Sequence, residues 1–259
     1  MRIKQSLCYP LFPAENMSLD AYFAKLAEIG FQAFETWERP ANFMELVQAA
    51  QKRGLALASF GGHGTLASGL IDKTQHDRIE AELRTSIDIA ADLGTPGVIC
   101  FSGNRIEGLS DEQAIDVAAA GLSRVIGHAE KKGVNLNMEL LNSKVNHPGY
   151  ACDKSAFGLA VCKKVGSPRA KLLYDIYHMQ IMEGDLIRTI TANIQYIGHF
   201  HTAGNPGRND MDDTQELNYR GICKAIAATP YEYYVGHEFR TKRADKFEGL
   251  REAFELCNQ

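Results

Sequence analysis

The chain has 259 residues, 45% hydrophobic and 23% charged, and its 28 basic against 32 acidic residues leave a net charge of −4. A chain of this length buries roughly three quarters of its unfolded surface, so a core without staples is expected, and one barrel-type domain of about 250 residues is as much in range as two smaller domains. The acidic balance excludes the electrostatic footprint of a nucleic-acid binder, no stretch approaches the roughly 20 apolar residues of a membrane span, and the opening Met-Arg-Ile-Lys-Gln lacks the apolar run of a signal peptide.

Residues 3–8 read as a strand. Ser18 and Asp20 then offer a cap for a helix with Tyr22, Phe23, Leu26 and Ile29 on one face, stopped by Gly30. A strand over 31–36, a helix over 43–53 ended by Gly54, and a strand over 55–60 followed by Gly61-Gly62 continue the rhythm. The helix over 75–93 spaces Ile79, Leu83, Ile87 and Ala90 or Ala91 for one buried face. The wholly apolar strand over 98–101 suits a position covered on both sides. A helix over 111–132, closed by Gly133, leads into a strand over 134–140. Asp153 or Ser155 caps a helix reaching Val165, and a strand follows over 171–175. The pattern closes with a helix over 185–193, a strand over 194–201, a helix from Asn218 or Tyr219 to Ala227, a strand over 231–239 and a helix over 244–257.

Eight strands alternating with helices imply βαβ units and a parallel sheet. The fold class expected is α/β, a closed (β/α)8 TIM barrel, with a doubly wound open sheet giving a similar string. No linker or low-complexity run divides the chain, so residues 1–259 read as one domain. The six scattered cysteines (Cys8, Cys100, Cys152, Cys162, Cys223 and Cys257) form no C-x-x-C pair and read as reduced thiols in a cytoplasmic protein.

In such a barrel the chemistry sits at the C-terminal ends of the strands. Four consecutive strands end in Asn137-Met-Glu139, Leu173-Tyr-Asp175, Gly198-His-Phe-His201 and Val235-Gly-His-Glu238. Glu139, Asp175, His201 and Glu238 therefore form a set of hard oxygen and nitrogen donors at one mouth, suited to Mn²⁺, Mg²⁺ or Co²⁺, with Zn²⁺ also in range. Without a cation, three clustered carboxylates repel and at least one takes up a proton. Each residue alone has a plainer reading: a strand-end Glu is usually a solvated rim residue, Asp175 can simply cap the next turn, and a strand His is usually a satisfied core group. Of His199 and His201, one is expected to face the barrel and the other the helices.

The segments Glu139-Leu-Leu-Asn142, Asp175-Ile-Tyr-His-Met-Gln180, His199-Phe-His201-Thr-Ala-Gly-Asn-Pro-Gly-Arg208 and Gly236-His-Glu238 resemble the xylose-isomerase-like TIM-barrel superfamily, and in particular the hydroxypyruvate isomerase family. Pro206-Gly-Arg208 followed by Glu216-Leu-Asn-Tyr219 is similar to that family's loop after strand 7. The resemblance implies that Glu139, Asp175, His201 and Glu238 ligate a divalent metal, that Glu139 and Glu238 double as the acid/base pair, and that His178 and Arg208 contact substrate oxygens. Leu140 stands where the isomerases commonly have Pro, and His201 stands where many hydroxypyruvate isomerases have Gln, closer to the epimerase pattern.

Independently of any family, moving a carbonyl along a chain or inverting a neighbouring centre requires removal of a proton α to C=O. A divalent ion and two carboxylates can stabilise the enediolate and shuttle that proton. The function expected is a metal-dependent isomerase of small hydroxy-carbonyl compounds, of the hydroxypyruvate isomerase type. Its rivals are a ketose 3-epimerase, a metal-dependent phosphodiesterase using His63 and Glu35 as further ligands, and a sugar-binding barrel without turnover. His63, after strand 3, is a candidate for binding substrate hydroxyls, and Trp37 a wall of the mouth. Ser102-Gly-Asn-Arg105 has some character of a phosphate loop, residues 142–150 form a candidate lid, and Arg240 lies close enough in sequence to pair with Glu238. A small molecule is the partner expected, with no nucleic acid or membrane, and a homo-oligomer left open.

Overall fold

The computed structural model describes residues 3–259, and among them eight parallel strands alternate with helices. The strands are β1 (Lys4–Leu7), β2 (Ala33–Glu35), β3 (Ala56–Ser59), β4 (Gly97–Cys100), β5 (Asn135–Glu139), β6 (Ala170–Asp175), β7 (Ile197–Thr202) and β8 (Tyr234–His237). Six of them pair in the order β1-β8-β7-β6-β5-β4, and β2 pairs with β3. The two seams close through single bridges, Cys8 with Glu35 and Gly61 with Ile99, completing a (β/α)8 barrel.

The helices pack outside as their apolar spacing requires. Helix α1 (Leu19–Ile29) buries Tyr22, Phe23, Leu26 and Ile29, with Ser18 Oγ accepting the Ala21 N–H at 3.2 Å. Gly30, at φ 113°, adopts the left-handed cap that glycine allows without Cβ strain. Around the barrel follow α2 (Phe43–Lys52) and α3 (His76–Leu93), which buries Ile79, Leu83, Ile87 and Ala90.

Three departures from the sequence pattern can be traced to particular residues. The expected helix over 111–132 breaks into α4 (Asp111–Ser123) and α5 (Ile126–Lys132). At the break, Arg124 and Val125 donate to carbonyls three residues back, and the Arg124 carbonyl accepts from the Arg84 guanidinium at 3.1 Å. After α6 (Ser155–Val165) and β6 comes an unexpected short helix, α7 (Ile176–Met182), capped by Asp175, before α8 (Leu186–Ala192). Residues Ile194–Tyr196 form a 3₁₀ turn, so β7 starts three residues later than the apolar run suggests. Helices α9 (Tyr219–Ala227) and α10 (Lys246–Cys257) complete the outer layer.

The register explains how the strand ends meet. Asp175 lies opposite His201, His201 opposite Gly236, and Glu139 opposite Leu173, two residues before Asp175. That stagger is the shear of tilted barrel strands. Side chains two residues apart share a face, and both His199 and His201 point inward against Glu35. The expected split of these two histidines between barrel and helical layer is thereby corrected.

Candidate metal centre and active site

Glu139, Asp175, His201 and Glu238 converge at the mouth, all buried, with one ligand atom from each lying within 4.8 Å of the others. His201 Nδ1 is the hub: Glu139 Oε1 and Glu238 Oε2 each lie 3.3 Å from it, and Asp175 Oδ2 lies 3.9 Å away. Nδ1 has no hydrogen-bond partner although it is fully buried. Donors on opposite sides of a divalent cation, each about 2.0–2.4 Å from it, stand about 4–5 Å apart, so three carboxylates and one imidazole at this spacing fit such an ion.

The electrostatics show what the cluster does with its charge. Burial pushes the Asp175 carboxyl up, Glu238 beside it adds to the effect, and the result is about 7 despite Arg208 and His201. Burial also raises Glu139, with Glu238 adding to it and His201 opposing. Burial acts the same way on Glu238, but His201 and Arg208 outweigh it and hold that carboxyl well below its usual range. Burial disfavours the His201 imidazolium, yet Glu238, Cys8 and Glu35 together raise it well above the ordinary value. The buried set thus holds protons at neutral pH that a cation would displace.

Each candidate ligand is fixed by its surroundings. Glu238 Oε1 accepts from Trp37 Nε1 at 2.7 Å, and Oε2 pairs with the Arg208 guanidinium. Arg208, not Arg240, is thus the partner of Glu238; the Arg240 backbone N–H instead donates to the Arg208 carbonyl at 2.8 Å. Asp175 serves two purposes: its Oδ1 accepts the His178 N–H at 2.8 Å as the cap of α7, while Oδ2 faces the cluster.

Three nitrogens border the cluster without a protein partner: His178 Nε2, His147 Nε2 and Arg208 Nε. His178 Nδ1 accepts the Asn142 N–H at 3.1 Å, which places its proton on Nε2, 3.7 Å from Asp175 Oδ2. The His147 ring packs beside it at a tilt of 58°, with ring centroids 5.2 Å apart. His147, Arg208, Glu139 and Glu238 line one side of a cavity of about 240 Å³, and Trp37, Leu66, Phe101 and Leu141 form its apolar wall.

Other sequence candidates are placed differently. His63 is not brought to the cluster: Nε2 accepts the Phe101 N–H at 2.9 Å and Nδ1 donates to the Gly64 carbonyl at 3.1 Å. Burial lowers it to about 4, so the ring is a neutral staple between loops. The loop after β4 has its groups spent internally, Ser102 Oγ accepting from Cys152 N–H and Arg105 pairing with Asp111 and Asp153. The segment over 142–150 is pinned by Lys144 Nζ, which donates to the Ile181 carbonyl at 2.9 Å, and by Asn142 Oδ1, which accepts from Val145 and Asn146. Glu35, a further ligand in the phosphodiesterase reading, lies beneath the mouth, between His199 and His201.

This barrel and its strand-end donors define a class, and comparison with known proteins agrees. A family model described as xylose isomerase-like TIM barrel matches residues 23–259. The Escherichia coli K12 hydroxypyruvate isomerase is 32% identical over 238 residues, covering 89% of this chain and 91% of that protein. The 2-oxo-tetronate isomerase of Cupriavidus necator is 31% identical over 248 residues, covering 91% and 92%. A Brucella melitensis structure titled AP endonuclease, family 2, superposes with TM-score 0.84 at 21% identity over 99% of this chain and 100% of its own, a likeness of fold. The chain belongs to the xylose isomerase-like TIM-barrel family and, within it, groups with the hydroxypyruvate isomerases.

Proposed function

We propose that this chain, as one domain, is a divalent-metal-dependent isomerase that interconverts small hydroxy-aldehydes and hydroxy-ketones through an enediolate. The observation that carries the reading is the buried Glu139–Asp175–His201–Glu238 set, with an unpartnered imidazole nitrogen at its centre. Three- and four-carbon oxo-acids of the kind named for the relatives, hydroxypyruvate and 2-oxo-tetronate, are the substrates favoured.

Glu139, Asp175, His201 and Glu238 would hold the ion. When bound, it supplies Lewis-acid polarisation of the substrate carbonyl, with Mn²⁺ or Mg²⁺ best matched to three carboxylates and Co²⁺ or Zn²⁺ able to replace them. The two glutamates differ in state. Glu238, held ionised by His201 and Arg208, takes the proton from the carbon α to the carbonyl; Glu139, raised by burial, carries the proton returned to the neighbouring carbon or oxygen. In the reverse direction their roles exchange. His178 Nε2 and Arg208 Nε are donors left free for substrate oxygens, and His147 Nε2 is a further unpartnered ring nitrogen beside them. Leu66, Phe101 and Leu141 give the cavity an apolar wall, which lowers the local dielectric and strengthens charge interactions beside it.

Two rivals are separated by specific features. Epimerisation at C3 uses the same proton transfers, and His201 in place of Gln favours it; product analysis distinguishes inversion from carbonyl migration. Phosphodiester hydrolysis needs further metal ligands, and His63 has both ring nitrogens committed to backbone while Glu35 lies beneath the mouth.

The test is Glu139→Gln and Glu238→Gln, each assayed for bound metal and for turnover with hydroxypyruvate. Metal retained with turnover reduced by about 10²–10⁴-fold is the result expected for a lost acid or base. Full activity in both variants refutes the mechanism. Absence of turnover of any hydroxy-carbonyl compound by the metal-loaded parent refutes the isomerase reading and leaves a binding barrel.

A further inference from the structure

Beneath the metal set lies a buried acid outside it. Glu35 ends β2, where pairing with β3 shifts register between Phe34 and Glu35, the kind of irregularity that re-aims a side chain at a barrel rim. It is 1% exposed. Its Oε2 lies 2.7 Å from His199 Nε2 and 3.2 Å from His201 Nε2, and its Oε1 accepts from Ser6 Oγ at 3.1 Å. Gly236 on β8 provides the space, because a Cβ there would collide with the Glu35 carboxylate. Residues from β1, β2, β7 and β8 thus enclose one carboxylate under the mouth.

A neutral imidazole has one lone pair, and the nitrogen that carries the proton cannot coordinate a metal. The ring of His201 presents Nδ1, without a partner, to Glu139, Asp175 and Glu238 on one side, and Nε2 to Glu35 on the other. Holding the proton on Nε2 leaves the lone pair on Nδ1. His199 Nε2 lies 2.7 Å from the same Glu35 oxygen and restricts where that oxygen can point.

We propose that Glu35 is a positioning residue for the metal centre: it accepts the Nε2–H of His201 and so fixes the tautomer and ring orientation in which Nδ1 completes the ligand set. Ser6, His199 and Gly236 hold the carboxylate in that place. The inference rests on the metal-dependent reading of the site. Cys8 Sγ, 3.9 Å from His201 Nε2, forms a second candidate group with Glu35 and His201, but direct coordination there would consume the same Nε2 that Glu35 ties by hydrogen bonding.

The experiment titrates Mn²⁺ and Co²⁺ calorimetrically into the chelator-stripped full chain and its Glu35→Ala and Glu35→Gln variants, with circular dichroism as the check on folding. Expected are one ion per parent chain, a loss of affinity of about 10–100-fold in Glu35→Ala, and a smaller loss in Glu35→Gln, whose amide oxygen can still accept. Proton NMR of the Co²⁺-loaded parent should show one strongly shifted, exchangeable imidazole N–H, and it should be lost to fast solvent exchange in Glu35→Ala. Should Glu35→Ala not fold, Glu35→Gln and Ser6→Ala carry the same comparison. Unchanged affinity with the N–H signal retained overturns the proposal alone. Two ions per parent chain, one of them lost with Glu35, overturns it by making Glu35 a ligand. A parent chain that binds neither ion overturns the metal-dependent reading itself.

Discussion

Replacing Asp175 by Asn should stabilise the metal-free protein above pH 7 while removing most of its stabilisation by a divalent cation. Asp175 is 1% exposed, and its carboxyl is raised from 3.8 to about 7, chiefly by burial. The folded chain therefore keeps a proton that the unfolded chain releases above about pH 4. This group's contribution is complete below pH 4, is lost as pH rises toward 7, and changes no further above it. At about 1.4 kcal/mol per pH unit, the loss amounts to at most about 4 kcal/mol. With about 2–4 °C of Tm per kcal/mol, that is roughly 8–16 °C. Asn has no such proton to lose, and its side-chain oxygen can still accept the His178 N–H that Asp175 now takes at 2.8 Å. Thermal unfolding of both chelator-treated proteins at pH 4.5 and pH 8 makes the comparison: the parent should fall more steeply than the variant. Adding a cation at 100 times its Kd should return about 2.7 kcal/mol to the parent and little to the variant. Parallel loss of stability in the two metal-free proteins would refute the assignment of that proton.

Three further outcomes follow from the same geometry. Trp37→Phe removes the 2.7 Å bond to Glu238 Oε1 and should lower kcat/KM by about ten- to hundredfold, as a charge-assisted bond of about 1.5–3 kcal/mol implies, with metal affinity little changed; steady-state kinetics and metal titration check both. Arg208→Gln leaves Glu238 with His201 as its remaining cationic neighbour, so the carboxyl should titrate higher and the acidic limb of the pH–rate profile should move up; an unmoved limb contradicts the pairing. Gly236→Ala drives a methyl group into Glu35 and should cost about 1–3 kcal/mol or more in urea unfolding, with weaker metal binding.

The candidate site was legible because its donor residues obey a positional rule. Glu139 and Asp175 end their strands, His201 is the last but one residue of β7, and Glu238 directly follows β8; strand ends can be read from apolar runs bounded by turn residues. What surrounds them depends on shear and loop paths, which periodicity does not encode. Glu35 reaches His201 from across the barrel, 166 residues away in sequence. Arg208 takes Glu238 from a loop where sequence proximity pointed to Arg240, and Trp37 bonds it from 201 residues away. His63 has the residue type and loop position of a binding group, and only the positions of the Phe101 N–H and the Gly64 carbonyl show it to be spent. The break between α4 and α5 is equally tertiary, since the carbonyl it exposes is satisfied by Arg84 from α3. The inward pairing of His199 with His201, by contrast, follows from the two-residue period of a strand and was available in the sequence.

The most direct test of the account is proton NMR in D₂O with hydroxypyruvate, comparing the chelator-stripped chain with the same chain supplied with Mg²⁺. The account predicts metal-dependent deuterium incorporation at the carbon α to the carbonyl, with the carbonyl migrating to the terminal carbon, and loss of both on chelation or in Glu139→Gln and Glu238→Gln. Exchange or turnover that persists undiminished after the metal is removed, or in both variants, would contradict it.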